Sequence, residues 1–450
     1  MNWSELQRIY FVGIGGIGMS ALARFFGNHG IEIYGYDKTK TKLTEALEKE
    51  GCHIHYEDRV DLIPEAIDLV IYTPAIPSNH SELAYFKRNF YPVQKRAAIL
   101  GAISKQKKCI AMAGTHGKTT TSSMISFVLR HGGIDCSAFL GGIVKNYESN
   151  FVFGKSEWIV VEADEYDRSF LHLVPEIAII SSVDPDHLDI YQKKDLMIEG
   201  FRDFVQKINE GGSLLKAHSI EQELNSGEKV NAETYGIEEG VYAAKEIKVK
   251  DGAFVFNAHY PGGKIEAVKV QMAGRHNIEN AMAAIAVAKK LGIENENIKN
   301  AFAEFKGIQR RFDIRINNHK QVYIDDYAHH PSELNAAIGA AKELFPKRKI
   351  TGIFQPHLYS RTRDFADGFA CALDALDELI ILPIYPAREV PIKGVTSAMI
   401  LNKMQSEHKV LKQKEELIPY LKANEFEILL TLGAGDIDVF VPQIEELLRK

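Results

Sequence analysis

Short apolar runs recur along this chain, each ending in glycines or acids and each followed by a segment whose apolar positions have helical spacing. Arg8 to Val12, Glu32 to Tyr36 and Asp68 to Thr73 open the series, and a helix to about His29 follows the first. Cys109 to Ala113, Trp158 to Ala163 and Glu176 to Val183 continue it. Runs that are apolar at successive positions have no wet face, so they predict buried parallel strands with helical crossovers between them. A polar region from about Gly211 to Val270 reads as strands and loops at a sheet edge. The alanine-rich helix Asn277 to Leu291 then closes the block. Further strands are expected at Val322 to Asp325, Lys349 to Phe354, Glu378 to Leu382 and Glu427 to Leu432. The lysine-bearing stretch Ser104 to Lys108 and Gly307 punctuate the pattern. They give an α/β fold of three domains, residues 1–106, 107–307 and 308–450, with the first and third alike.

The 450 residues agree with this count at roughly 100–200 residues per domain. A net charge of −6 lacks the one-sided positive field that tracks a phosphate backbone or an anionic bilayer, so neither nucleic acid nor membrane is expected as a partner. Small anions held by local sites are compatible with it. Cys52, Cys109, Cys136 and Cys371 are scattered, with no CxxC spacing, so neither a disulfide framework nor a zinc knuckle is indicated and a reducing cytoplasm is the expected compartment. Ile9 to Ala23 is uncharged and resembles a secretory leader. Its glycines suit a strand, a turn and a helix start better.

Those glycines are Gly13, Gly15, Gly16 and Gly18, a GxGxxG pattern between an expected strand and an expected helix. Such a loop turns tightly, lets the backbone approach a diphosphate, and aims a helix N-terminus at it. Asp37 stands where a dinucleotide fold places its ribose acid. Alone, this loop is compatible with a nicotinamide oxidoreductase or with a purely structural turn. The segment Ala111-Met112-Ala113-Gly114-Thr115-His116-Gly117-Lys118-Thr119-Thr120 changes the reading. It offers small residues whose amides can cradle phosphate, a lysine for the outer phosphates and a hydroxyl for magnesium, although Met112 stands where the strict pattern has its first glycine. Glu162-Ala163-Asp164-Glu165 and Asp184-Pro185-Asp186-His187-Leu188-Asp189 end two expected strands. There they can face a phosphate loop and bind magnesium, or serve as helix caps and solvated acids.

Together with Gly274-Arg275-His276-Asn277, Arg310-Arg311-Phe312 and Asp325-Asp326-Tyr327-Ala328-His329-His330-Pro331, these segments resemble the Mur ligase family from the first strand to the last. The resemblance implies three domains: a Rossmann-like one for a UDP-sugar, a central ATP-binding one with a mostly parallel, P-loop ATPase-like sheet, and a Rossmann-like one for an amino acid. It assigns ATP to Gly114, Thr115, His116, Gly117, Lys118, Thr119, Thr120, Asn277, Arg311 and Asp326. Mg2+ goes to Thr119, Glu162 and His187, and the sugar nucleotide to the glycine loop, Asp37, Thr73 and Ala75. Phe354 to Arg363 and Ile384 to Ala387 resemble the members that add L-alanine rather than those that recycle a murein tripeptide. The implied reaction joins L-alanine to the lactyl carboxylate of UDP-N-acetylmuramate through an acyl phosphate, in a monomer or weak homodimer. Lys118 and His187 would act in catalysis. Some members carry arginine where Leu358 stands, which leaves Arg361 as the residue for the amino-acid carboxylate and His330 as the candidate proton acceptor. A non-catalytic ATP-binding regulator is the reading from another class.

Overall fold

The structure is a computed structural model that describes residues 3–77, 79–184, 194–224, 227–250, 253–387 and 389–449. Its strands form three sheets. The first holds β1 (Arg8–Val12), β2 (Glu32–Tyr36), β3 (His53–His55), β4 (Leu69–Tyr72) and β5 (Val93–Lys95), all parallel, in the order β3-β2-β1-β4-β5. Helices α1 (Ile17–Asn28), α2 (Lys42–Lys49), α3 (Ser81–Arg88) and α4 (Arg96–Ser104) accompany it. The strand order reverses between β1 and β4, so a crevice opens at their carboxyl ends.

The second sheet comprises β6 (Lys108–Ala113), β7 (Ser137–Val144), β8 (Ser149–Val152), β9 (Trp158–Glu162), β10 (Ile177–Ile180), β11 (Ser213–Ala217), β12 (Asn231–Ile237), β13 (Tyr242–Lys250), β14 (Ala253–Tyr260) and β15 (Gly263–Val270). Central β6 lies between β9 and β10, parallel to both, and α5 (Lys118–His131) follows it. The region expected to hold strands and loops at a sheet edge supplies β11 to β15. Its polar alternation reflects the sheet's edge, where one strand face is wet. The third sheet contains β16 (Asp313–Asn317), β17 (Val322–Asp326), β18 (Ile350–Phe354), β19 (Glu378–Ile381), β20 (Lys409–Leu411) and β21 (Ile428–Leu432), in the order β16-β17-β21-β18-β19-β20. Only the β16–β17 pairing among these is antiparallel. Apolar clusters cover both its faces. No helix among the described residues is long and apolar enough to cross a membrane.

One expectation about a strand end is corrected. The run Glu176 to Val183 is strand only from Ile177 to Ile180, because Ser181 and Ser182 leave the ladder and bond to the loop after β6. The strand expected over Lys349 to Phe354 does end at Phe354. Gln355 turns its side chain to Asp436 and the Ile437 amide, and Pro356 has no N–H to give to a ladder.

The chain divides into two compact units. The first takes Met1–Lys248, Val255–Val270 and Ile278–Lys306; the second takes Val249–Phe254, Gln271–Asn277 and Gly307–Lys450. Within the first, α1 packs on β7 and β8, with the Phe25 ring 5.5 Å from Phe139 and 6.2 Å from Phe151. A buried polar network completes this contact. Arg24 donates to Glu50 and to the Asn150 side-chain oxygen, and the Asn150 amide donates to Ile17 O and, at 3.1 Å, to Ser20 Oγ.

The core of the first sheet buries a carboxyl group. Tyr10, fully buried on β1, donates to Glu82 Oε2 at 2.6 Å, and the Arg59 amide donates to Oε1. Burial pushes Glu82 up to about 7 from 4.5. A raised carboxyl binds its proton more tightly in the folded state. The stability this contributes is fully present below about 4.5 and is lost as pH rises through about 7. Urea unfolding at pH 5 and pH 8 should show the wild type losing about 2 kcal/mol relative to Glu82→Gln across that window. Parallel pH profiles for the two proteins would show that charge at this position is fully compensated.

Candidate functional site

The chain leaves β1 through Gly13, whose φ of +88° favours glycine. The amides of Gly13 and Ile14 both donate to Tyr36 O at the end of β2. A Cβ on Gly13 would lie 3.1 Å from both Thr73 and Ile76, so the turn after β4 covers the loop after β1. Thr73 is therefore brought to the loop, whereas Ala75 is exposed in the same turn. Gly15 is small for a reason of the protein's own. Its amide donates to Asp37 Oδ2 at 2.7 Å, and a Cβ there would meet Thr44 at 2.7 Å and that oxygen at 2.8 Å. Asp37 thus braces the loop that it was expected to accompany. Gly16 begins α1 with no side-chain cap, leaving its first-turn amides without one. Gly18, one residue into the helix, lies under the guanidinium of Arg96, a neighbour the sequence reading missed.

After β6 the chain turns through Gly114, at φ +130°, and Gly117, at φ +80°, the residue preceding α5. A Cβ on Gly114 would sit 2.2 Å from Ser181 Oγ, and one on Gly117 would sit 2.8 Å from Asn280 Oδ1. Ser182 Oγ bonds Thr115 Oγ1 at 2.8 Å and accepts from the His116 amide at 3.0 Å, while Ser181 Oγ donates to His116 O at 2.5 Å. Thr121 donates to Asn280. These partners were not foreseen. The signal for the serines was a polar pair ending an otherwise apolar strand.

The Lys118 ammonium donates to Gly114 O at 2.7 Å and to both oxygens of the fully buried Glu165 at 2.9 and 2.8 Å. Burial opposes its charge, but Glu165, Asp164 and Glu162 outweigh burial and hold its pKa above the ordinary lysine value. The Thr119 hydroxyl donates to both oxygens of Glu162 at 3.1 and 3.0 Å. Thr120 is buried on the first turn of α5. Hydroxyl and carboxylate oxygens side by side are hard donors of the kind magnesium takes, and it takes few of them from protein when phosphate is present. Both glycines have positive φ and are closed in by Ser181 and Asn280, which fixes a tight turn between β6 and α5, and with the Lys118 ammonium beside it the loop fits a polyphosphate and its cation. His187, together with Asp186 and Asp189, lies outside the described residues.

The glycine loop opens on a cavity of about 260 Å³ in the first unit. Gly16, Gly18, Thr73 and Arg96 line it from the first sheet, and Glu162 and Asp164 line it from the second.

In the second unit, Asn277 is buried and its amide donates to Ala273 O at 2.6 Å. Asp326 ends β17 and accepts from the Phe312 and Ala328 amides at 2.6 and 2.7 Å, and burial pushes it up to about 6. The guanidinium groups of Arg310 and Arg311 lie over the Tyr327 ring at 5.1 and 5.2 Å. His330 caps the helix Pro331–Leu344, with its Nδ1 2.7 Å from Ser332 Oγ, so the structure gives this expected proton acceptor a capping role. Arg361 belongs to a short helix, Tyr359–Asp364, rather than following directly on a strand. Its charge reaches His329, which burial, and to a smaller degree Arg361, holds below the ordinary histidine value against the pull of Glu333.

Comparison with known proteins accounts for this arrangement over the whole length. Residues 8–108 match the family model described as Mur ligase family, catalytic domain; residues 112–288 match the Mur ligase middle domain; residues 310–435 match the Mur ligase, glutamate ligase domain. A UDP-N-acetylmuramate–L-alanine ligase of Porphyromonas gingivalis is 46% identical over 453 residues, covering 99% of each chain. One from Parabacteroides distasonis is 48% identical over 457 residues, covering 100% of this chain and 99% of its own. Among solved structures, the UDP-N-acetylmuramate-alanine ligase MurC of Thermotoga maritima superposes with a TM-score of 0.84 at 30% identity, covering 98% of this chain and 99% of the other. With a phosphate loop after β6, a glycine loop after β1 and matches to both over their full lengths, the chain belongs to the Mur ligase family.

Proposed function

We propose that this chain joins L-alanine to the lactyl carboxylate of UDP-N-acetylmuramate with consumption of ATP, supplying peptidoglycan precursor in the cytoplasm as a monomer or weak homodimer. The observation that carries the reading is the shared cavity, which the glycine loop enters from one sheet and Glu162 and Asp164 enter from the other. Glu162 also accepts from the Thr119 hydroxyl of the phosphate loop, and a reaction that activates a sugar-nucleotide carboxylate with ATP needs the two sites this close. The relatives' names agree with it.

A carboxylate resists amines because its carbon is shielded by charge and its oxygen is a poor leaving group. Attack of the lactyl oxygen on the γ-phosphorus forms one P–O bond, breaks the bond to ADP and leaves an acyl phosphate. The amine of L-alanine then bonds to the acyl carbon, phosphate departs and the amine loses a proton. Lys118 neutralises charge on the transferring group, which is where most catalysis of phosphoryl transfer originates. Thr119 and Glu162 would hold magnesium, which when bound shields the phosphate oxygens and orients them. The Gly114 and Gly117 amides cradle the phosphates without reorganising. Arg361 would hold the carboxylate of L-alanine through its planar fork, a geometry that lysine lacks.

Incubation with ATP, magnesium and UDP-N-acetylmuramate should release phosphate and form the alanyl product only when L-alanine is added; hydride transfer to NAD or ATP binding without product would sink the reading. Lys118→Ala should reduce turnover at least about 10³-fold and cost about 3 kcal/mol of stability, since it strands the buried Glu165 carboxylate. Adding Glu165→Gln should restore most of the stability and none of the turnover, which separates charge burial from catalysis. Arg361→Lys should raise the KM for L-alanine about tenfold or more and leave those for ATP and sugar nucleotide within about twofold. Unchanged alanine kinetics would move the amino-acid clamp elsewhere in the second unit.

A further inference from the structure

We propose that Arg96 is a substrate-binding residue whose guanidinium holds the diphosphate of the sugar nucleotide against the first turn of α1. The inference rests on the functional reading above and assigns a cationic side chain to the sugar-nucleotide site.

Arg96 is the first residue of α4, half-buried, and lies across Gly18 of α1. A Cβ built on Gly18 would be 2.9 Å from Arg96 Nη1, 3.2 Å from Cδ and 3.3 Å from Cζ. Glycine is a poorer helix former than alanine, so the position gives up helix stability to keep room for a cation. The third glycine of this loop type ordinarily serves packing of helix on sheet. Here what lies over it is a guanidinium.

That cation has no acceptor of its own. Arg96 makes no hydrogen bond or ion pair among the described residues, although Glu162 and Asp164 line the same cavity. Arg24, by contrast, is satisfied by Glu50 and Asn150, and Arg315 by Asp313 and Glu445. A guanidinium carries five N–H donors and loses hydration when half-buried, so leaving them all without protein acceptors is costly. It also stands beside the positive end of the α1 dipole, which repels it. An anion between them removes both penalties. The sugar nucleotide has two anionic groups, the diphosphate and the lactyl carboxylate. Gly18 shares its helical turn with the loop amides after β1, which suit a diphosphate, whereas the carboxylate must reach the side lined by Glu162. A planar fork matches two phosphate oxygens at once.

UDP, which carries the diphosphate and no lactyl group, isolates the contact. By calorimetry Arg96→Gln should weaken UDP about 10- to 100-fold and raise the KM for UDP-N-acetylmuramate by a similar factor, with the KM for ATP within about threefold of wild type. Arg96→Lys should fall between, keeping charge but losing the fork. Gly18→Ala, whose methyl displaces the guanidinium, should reproduce the loss, and the double variant should be no worse than Arg96→Gln alone. Unchanged UDP affinity in folded Arg96→Gln overturns the proposal, including the case where only the KM for UDP-N-acetylmuramate rises, which would assign Arg96 to the carboxylate. Wild type that binds UDP but forms no alanyl product would overturn the functional reading alone, and the calorimetric comparison would still decide Arg96.

Discussion

One positive charge has to stay ionised where water is mostly excluded, and much of the central site follows from that. The Lys118 side chain is 13% exposed and Glu165 is fully buried. Burial by itself would strip the ammonium of its proton. Three acids at and just beyond the end of β9 prevent this, and two of them, Glu162 and Asp164, face the cavity. The cost of gathering them is met by bonding each to something fixed. Glu162 takes the Thr119 hydroxyl, and Asp164 takes the Tyr166 amide. The resulting loop is held by the protein's own fixed groups, the condition under which dipoles and charges are most effective in catalysis.

A second constraint holds the glycine loop against the second sheet. The helix that begins at the glycine loop is tied to β7 and β8 by aromatic packing and by the Arg24–Asn150 network, whose amide reaches the Ile17 carbonyl of the helix's own first turn. A buried amide bonded on both sides specifies one arrangement, because any slip leaves donors unsatisfied in a dry place. Placement of the diphosphate end relative to Glu162 is therefore a packing decision made about 130 residues away in sequence, between Ser20 and Asn150.

The glycine positions show how function and packing share the same residues. Gly114 and Gly117 are held by positive φ and by Ser181 and Asn280. Gly15 yields to Asp37 and Thr44, and Gly18 to Arg96. A motif written as glycines is, in three dimensions, a record of what occupies the space each missing side chain would fill.

Much was determined by the sequence alone. Apolar runs and their punctuation place β1 and β2 to the residue and β4, β6, β9, β17, β18, β19 and β21 within a residue at each end, because burial of successive side chains is a local property that the pattern carries directly. The phosphate loop, Glu162 and the glycine loop were legible for the same reason: each is a contiguous string with its own chemistry. Tertiary structure decided what depends on partners remote in sequence. It shortened the strand at Ser181, set Asn280 against Gly117 and laid Arg96 over Gly18. No local pattern encodes such pairings, since each is fixed by which surfaces the sheets bring within a few ångströms of one another, and the same residue types in another packing would have met different neighbours.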